Sequence, residues 1–374
     1  MKFLGLAACM LATHSNANAQ GGSCIHSGSA NDLLRLNVHA TSIIGASSDR
    51  NFDHALHHHD PAEEIDIQAL EFSLFSNLST YSQLHSTYNL SEDRGDFAGE
   101  LEEAYIKLHR LPYGFEAKGG RFIHDLGLQG NLHVHDWDFT NSDLVNSLFL
   151  GEEGVLTDGA ELSWYYIYEN YGVIGLTFAH GDVIEPGDEA EFTSGVTSVR
   201  STVHHYVSDF NQHFFGLSAA QGTNGFGRKS QVIGFDYTYS WSDSGSEIWN
   251  TSVDTSFQIM RRNVQWQDGS DRGDDNQLAV SASSIYHFAE NWNLSGRAEW
   301  VDGINSATYQ EDERLRLSSA LTRSFGMLED DDSKLRLQYN YDEAGSGHSG
   351  SHSHSLWLQF SFSFSFGKGW NIPN

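Results

Sequence analysis

The chain has 374 residues, of which 50 are acidic and 21 basic, for a formal charge of −29. That balance excludes nucleic acid as a partner, because phosphate binding needs a basic footprint; it suits cations, or an outer surface that must stay soluble. Aromatic residues make up 13% and glycine contributes 36 residues, too much ring content for an acidic disordered chain. Mean hydropathy is −0.43, and past the N-terminus no apolar run approaches the ~18 residues that a spanning helix needs. A membrane barrel remains open, because its strands alternate and average out in any hydropathy window.

At the N-terminus Lys2 precedes a short apolar stretch from Phe3 to Ala12, and Ala17-Asn18-Ala19 has the small-residue pattern of a cleavage site. Residues 1–19 therefore read as a secretory signal peptide. Leu6-Ala7-Ala8-Cys9 looks like a lipoprotein box, but the apolar stretch before it is too short to insert. Without Cys9, Cys24 is a lone thiol and no disulfide framework exists. Residues 20–32 read as a short N-terminal segment, 33–366 as a β-barrel and 367–374 as a C-terminal tail.

Period-two alternation predicts strands near 33–45, 65–78, 80–90, 99–109, 115–123, 159–168 and 172–179. It continues at 198–208, 213–222, 230–241, 246–261, 277–289, 293–302, 313–325, 334–343 and 356–366. The last is the clearest: Leu356, Leu358, Phe360, Phe362, Phe364 and Phe366 share one face, with Trp357, Gln359 and three serines on the other. Its length matches the ~9–11 residues of a tilted membrane strand. Sixteen strands is an even number, as a closed antiparallel barrel with both termini on one side requires.

Connection lengths alternate. Short turns such as Pro112-Tyr113-Gly114 fall between long connections at 46–64, 91–98, 124–158, 180–197, 262–276, 303–312 and 344–355. Short periplasmic turns and long extracellular loops characterise outer-membrane barrels. The expected fold is all-β, a transmembrane antiparallel outer-membrane β-barrel in contact with outer-membrane lipid.

Over half of the 20 histidines lie in the long connections. The first carries His54, His57, His58, His59 and Asp60 with Glu63 and Glu64; the last carries His348, His352 and His354. In a closed barrel the first and last strands pair, which places these loops side by side at one rim. Imidazoles and carboxylates at such spacings suit Zn²⁺, although low-complexity Gly/Ser/His loops also tolerate histidine. No cofactor is required by this pattern beyond such an ion. The longest connection, 124–158, combines His133, His135, Asp136 and Asp138 with an apolar set that includes Leu126, Phe139, Leu144 and Phe149. It is expected to fold into the barrel mouth, apolar side on the wall and carboxylates in the channel, favouring cations; a cap over the mouth is the alternative. Lys107, Lys118 and Arg121 fall at or near lumen positions, where they can pair with acidic loops or neutralise Glu103 and Glu116.

The runs HHHDPAEEIDIQALEFSL, LEEAYIKLHRLPYGFEAKGGRFIHDLG, HVHDWDF and LVNSLFLGEEGVLTDGAELSW resemble bacterial proteins labelled zinc-regulated TonB-dependent outer-membrane receptors, which are porin-like in style. The resemblance covers roughly 54–241. It implies an outer-membrane barrel associated with zinc or other divalent-metal uptake, and a metal role for His57, His58, His59, Asp60, His133, His135, Asp136 and Asp138. Such receptors carry an N-terminal plug inside a 22-stranded barrel, whereas the first strand here starts close behind the signal peptide. A plug-free channel for small solutes fits better, with a homotrimer open by analogy with porins. The competing readings are a plug-less TonB-receptor-like barrel or a non-transporting surface metal-binding barrel and, less favoured, a barrel enzyme using His124-Asp125 or His180 with Asp182. No nucleophile motif accompanies those pairs, so no enzyme is expected.

Overall fold

The computed structural model describes residues 34–49, 52, 59–61, 65–93, 96–151, 154–168, 172–184, 189–243, 251–268, 270–305, 310–325, 333–345 and 352–366. The strands run β1 (Arg35–Ser47), β2 (Ile65–Asn77), β3 (Ser82–Asp93), β4 (Asp96–Leu108), β5 (Phe115–Ile123), β6 (Leu156–Tyr168), β7 (Gly172–Val183) and β8 (Phe192–Ser208). They continue β9 (Asn211–Asn224), β10 (Lys229–Ser242), β11 (Ser252–Asp268), β12 (Asp271–Ala289) and β13 (Trp292–Val301). A two-residue ladder, β14 (Ile304–Asn305) with β15 (Gln310–Glu311), sits apart from the wall. β16 (Arg314–Phe325), β17 (Ser333–Ala344) and β18 (His352–Phe366) complete it. Sixteen strands close, each antiparallel to its neighbours, and β18 pairs β1 from Leu36↔Phe366 to Ser47↔Ser355. The fold is the transmembrane antiparallel outer-membrane barrel expected from the alternation.

That alternation sorts the wall into two faces because successive strand side chains point to opposite sides. Leu217 is 59% exposed on the outer face of β9, whereas its neighbour Ser218 is 4% exposed on the inner one. On β18, Leu356, Leu358 and Phe360 are exposed while Ser355, Trp357 and Gln359 are buried inside. Leu162, Phe178, Ile233, Leu294, Leu317 and Leu337 extend the outer apolar surface around the circumference. An apolar face of this extent far exceeds what a water-soluble monomer tolerates and matches a lipid-facing band.

The inner face is polar and ionic. Arg200 donates two bonds to Asp236, at 2.9 and 3.0 Å, and Gly216 makes room for that carboxylate: a Cβ there would lie 2.4 Å from Asp236 Oδ2. Lys107 pairs with Glu116 at 2.8 Å and Lys118 with Glu161 at 3.1 Å. Arg121, expected at or near a lumen position, has the opposite parity to Lys118 on β5 and pairs on the outer face with exposed Asp158 at 3.3 Å. The basic residues thus neutralise the adjacent wall strands; Lys118 turns to Glu161 and not to Glu103.

Two expected long loops are instead hairpins. The 91–98 region belongs to β3 and β4, paired as far as Asp93↔Asp96, and 262–276 to β11 and β12, paired as far as Asp268↔Asp271. Strands that outrun the lipid lose the apolar half of their alternation, so their charged tips read as loop.

If the outer face meets lipid, Leu217→Arg at mid-strand is expected to cost about 2–4 kcal/mol of stability in vesicles, and Gln221→Arg nearer the rim about 0–1 kcal/mol. Urea unfolding from lipid vesicles measures both. Equal costs at the two depths would contradict a bilayer around this wall.

Candidate functional site

After β5 the chain turns into the lumen and does not return to the wall until β6. Within this inward segment, helix α1 (Leu144–Phe149) is started by Asp143, whose Oδ1 accepts from Asn146 N at 2.5 Å. Its apolar side does what the sequence suggested. Leu126, Leu144, Val145, Phe149 and Leu150 pack on inward apolar residues of the wall, among them Val196, Val232, Met260 and Val301. Burying five such side chains is worth on the order of 10 kcal/mol in apolar transfer.

The polar backbone of the segment must be satisfied elsewhere, since a buried carbonyl without a donor costs ~1–3 kcal/mol. Wall arginines supply the donors. Arg262 reaches Leu148 O at 2.6 Å, Arg297 Asn141 O at 3.2 Å, Arg316 Ser142 O at 3.3 Å and Arg336 Trp137 O at 2.8 Å. The segment's amides are taken up by Glu299 Oε1 (Leu144 N, 2.8 Å), Gln338 Oε1 (Thr140 N, 2.8 Å) and Gln258 Oε1 (Leu128 N, 2.5 Å). Anchors therefore come from β11, β13, β16 and β17, and the segment is tied across the lumen.

Its tip meets an acidic wall. His133 lies 2.9 Å through Nδ1 from Glu102 Oε2, 3.6 Å through Nδ1 from Glu71 Oε1, and 3.1 Å through Nε2 from Glu103 Oε2. His135 Nδ1 lies 2.8 Å from Glu71 Oε2, and its ring stacks on His39 of β1 with centroids 3.8 Å apart. Two consecutive glutamates of one strand cannot both face inward in a regular ladder. Here Thr87 pairs Glu103 while Tyr88 pairs Leu101, so Glu102 is the extra residue of a β-bulge. A second bulge, between Thr41↔Ala69 and Ser42↔Ile67, turns Gln68 inward, where it donates to His59 O and Thr140 O at 2.8 Å each. Burial works against charge on His133, but Glu102 and Glu103 overcome it and hold its pKa well above the usual histidine value. His135 is raised in the same way by Asp136 and Glu71.

The sequence-predicted metal residues divide. His133 and His135 lie in this cluster. Asp136 is 3.5 Å from His135 Nε2 and half exposed. His59 is buried beside them, its Nδ1 2.6 Å from Gln68 O and its Nε2 3.5 Å from Glu102 Oε1. Asp60 is also buried, accepting from Ser142 N at 2.8 Å, so these two point into the barrel and not toward a rim patch. Asp138 stands apart near Arg336. His352 and His354 are on β18, their rings 6.1 Å apart, with His354 Nδ1 2.7 Å from Tyr339 OH. His54, His57, His58 and His348 lie outside the described residues. Sequence reasoning missed Glu71 and Glu102 as partners of His133; the adjacent acids in LEEAY, breaking a strand's alternation, were the available signal.

The His124-Asp125 pair is not arranged for proton transfer. His124 is fully buried, with Ser198 Oγ 2.8 Å from Nδ1 and Thr157 Oγ1 2.9 Å from Nε2, and burial lowers its pKa to about 3. Asp125 turns instead to Arg200, at 3.2 Å.

No protein-family profile matches the chain. An uncharacterized protein of Aquifex aeolicus is 32% identical over 132 residues, which are 34% of this chain and 27% of that protein; the chain thus spans about a quarter of that relative. Solved structures similar in fold include OmpT, an outer-membrane protein of Vibrio cholerae in trimer form, at 10% identity and TM-score 0.56, covering 88% of this chain and 99% of that one. An anion-selective porin from Comamonas acidovorans is 9% identical with TM-score 0.56 over 88% and 99% of the two chains. OmpF of Salmonella typhi is 11% identical with TM-score 0.56 over 89% and 99%. At such identities the likeness is one of fold, that of porin-like outer-membrane barrels. The resemblance to zinc-regulated TonB-dependent receptors gains no support from these proteins.

Burial raises the pKa of Asp138 to about 6, against the opposing pull of Arg336 and Lys334. Between the usual carboxyl value and 6 the folded chain then binds more protons than the unfolded one, so this residue makes stability fall as pH rises through that window. Asp138→Asn should flatten the slope of unfolding free energy between about pH 4 and 6, measured by denaturant titration at several pH values. A variant with the wild-type slope would count against the assignment.

Proposed function

We propose that the protein resides in an outer membrane as a porin-like channel for small solutes, with a passage narrowed by the inward segment and a preference for cations. The single observation behind this reading is the tethering of residues 124–151 across the lumen by wall arginines and Glu299. A net charge of −29 gives the mouth a field that draws cations, and the acidic strands β2 and β4 extend it inward. We further propose that the solutes include divalent metal ions, in keeping with the histidine–carboxylate cluster on the path. A trimeric assembly is an expectation carried by the trimer form of the similar Vibrio cholerae protein.

The density of anchors also favours a second reading, a closed surface barrel that binds metal without transporting. Planar-bilayer recording separates the two. The wild-type protein should open in small, cation-preferring steps. Arg336→Met, which releases Trp137 O (2.8 Å) and Gln359 Oε1 (2.7 Å) without orphaning a directly bonded carboxylate, should widen the passage and enlarge those steps. Silence from both proteins, each shown to be folded by heat-modifiable gel migration, would rule out the channel.

A further inference from the structure

The contact between His133 and the wall is unequal on the two sides of the ring. Nε2 makes a hydrogen bond with Glu103 Oε2 at 3.1 Å. On the Nδ1 side, Glu102 Oε2 is close at 2.9 Å and Glu71 Oε1 lies at 3.6 Å, but neither is aligned as an acceptor. Among the described residues no donor hydrogen-bonds to either oxygen, although both are buried, in side chains 3% and 0% exposed. Two buried carboxylate oxygens with no well-aligned protein donor are costly, and native interiors reserve such arrangements for an ion or a functional need.

We propose that Glu71 Oε1, Glu102 Oε2 and His133 Nδ1 form a binding site for one divalent transition-metal ion, with Zn²⁺ the ion its donor set fits. Glu71, Glu102 and His133 each offer a ligand atom within 4.8 Å of those of the other two. Two of the separations, 2.9 and 3.6 Å, bracket the ~3.4 Å edge of a tetrahedron with bonds of about 2.1 Å. One imidazole with two carboxylates suits Zn²⁺ or its neighbours and disfavours Mg²⁺ and Ca²⁺, which take oxygen alone. Glu103 then has a defined part. By accepting from His133 Nε2–H it fixes the tautomer that leaves Nδ1 free for metal, the carboxylate–histidine–metal relation of many zinc sites. The grouping of three carboxylates, Glu71, Glu102 and Glu103, around one imidazole supports the same assignment, because a dication offsets their mutual repulsion. His59 lies alongside, its Nδ1 2.6 Å from Gln68 O and its Nε2 2.8 Å from Asn89 Nδ2 and 3.5 Å from Glu102 Oε1.

The ion would join the inward segment, through His133, to two separate wall strands, β2 and β4. This inference stands whether or not the lumen conducts. The test uses the full mature barrel, refolded free of metal in detergent and checked by heat-modifiable migration. Zinc is titrated against a chromophoric chelator, and the bound ion is examined by X-ray absorption. One tight equivalent per chain is expected, with a nitrogen/oxygen shell that includes imidazole. Glu102→Gln and His133→Gln should each weaken it at least ~100-fold, and Glu103→Gln, a milder change, about 10–100-fold. Replacing the other sequence-predicted histidines His57, His58, His348, His352 and His354 by alanine should leave it intact. Loss of the tight equivalent in that five-histidine variant, its survival in the Glu102 and Glu103 variants, or its absence from folded wild-type protein would each overturn the site. Conductance with no tight zinc defeats the metal site alone; tight zinc with no conductance defeats the channel alone.

Discussion

A chain that leaves the wall and crosses a barrel's interior carries its peptide groups with it, and each must find a partner there. The arginines of β11, β13, β16 and β17 meet that demand by donating to carbonyls at Leu148, Asn141, Ser142 and Trp137. Their charge is met in turn by wall acids such as Asp342, 2.6 Å from Arg316, and Glu299, 2.9 Å from Arg297. The lumen is thus a layered structure, with wall carboxylate, wall guanidinium and segment carbonyl in sequence. Apolar packing of α1 fixes the other side of the segment. Removing Arg262, Arg297 or Arg316 leaves both a carbonyl and an acid unsatisfied, so the arrangement is sensitive to single changes.

Opposite the arginines the wall changes character. Irregularities in β1–β2 and β3–β4 each insert one residue into a strand, and the extra side chains, Gln68 and Glu102, are aimed inward. Gln68 holds His59 and the turn at Thr140; Glu102 joins Glu103 and Glu71 around His133. Local departures from the regular ladder are what concentrate functional groups at this spot, as bulges do at many sites.

The barrel was legible in the chain because lipid and lumen impose opposite demands on successive residues, and all sixteen strands carry that imprint. The apolar 126–150 stretch also announced that it would be buried. The histidine–carboxylate contact was only half legible. His133 and His135 stand out as residues, but Glu71 and Glu102 sit in strands whose acids read as ordinary lumen polarity. Their meeting depends on two single-residue bulges and on how far the segment reaches, neither of which leaves a periodic trace. The runs around Glu71, around Glu102 and around His133 are separate in the chain and meet in space.

The closing seam has a consequence for how the molecule comes into being. Arg35 and Ser365, joined across β1 and β18 by a 3.0 Å hydrogen bond, are 330 positions apart. The first strand to emerge therefore waits, with one edge unpaired, for the last. Until then two open edges invite pairing with other chains, and such long-range closure is intrinsically slow. The inward segment, whose anchors extend to β16 and β17, can be fully fastened only once those late strands are in place. Assembly of this protein thus calls for an escort that shields the early strands, and a chain cut short before β18 would retain both exposed edges and a segment with too few partners to hold it.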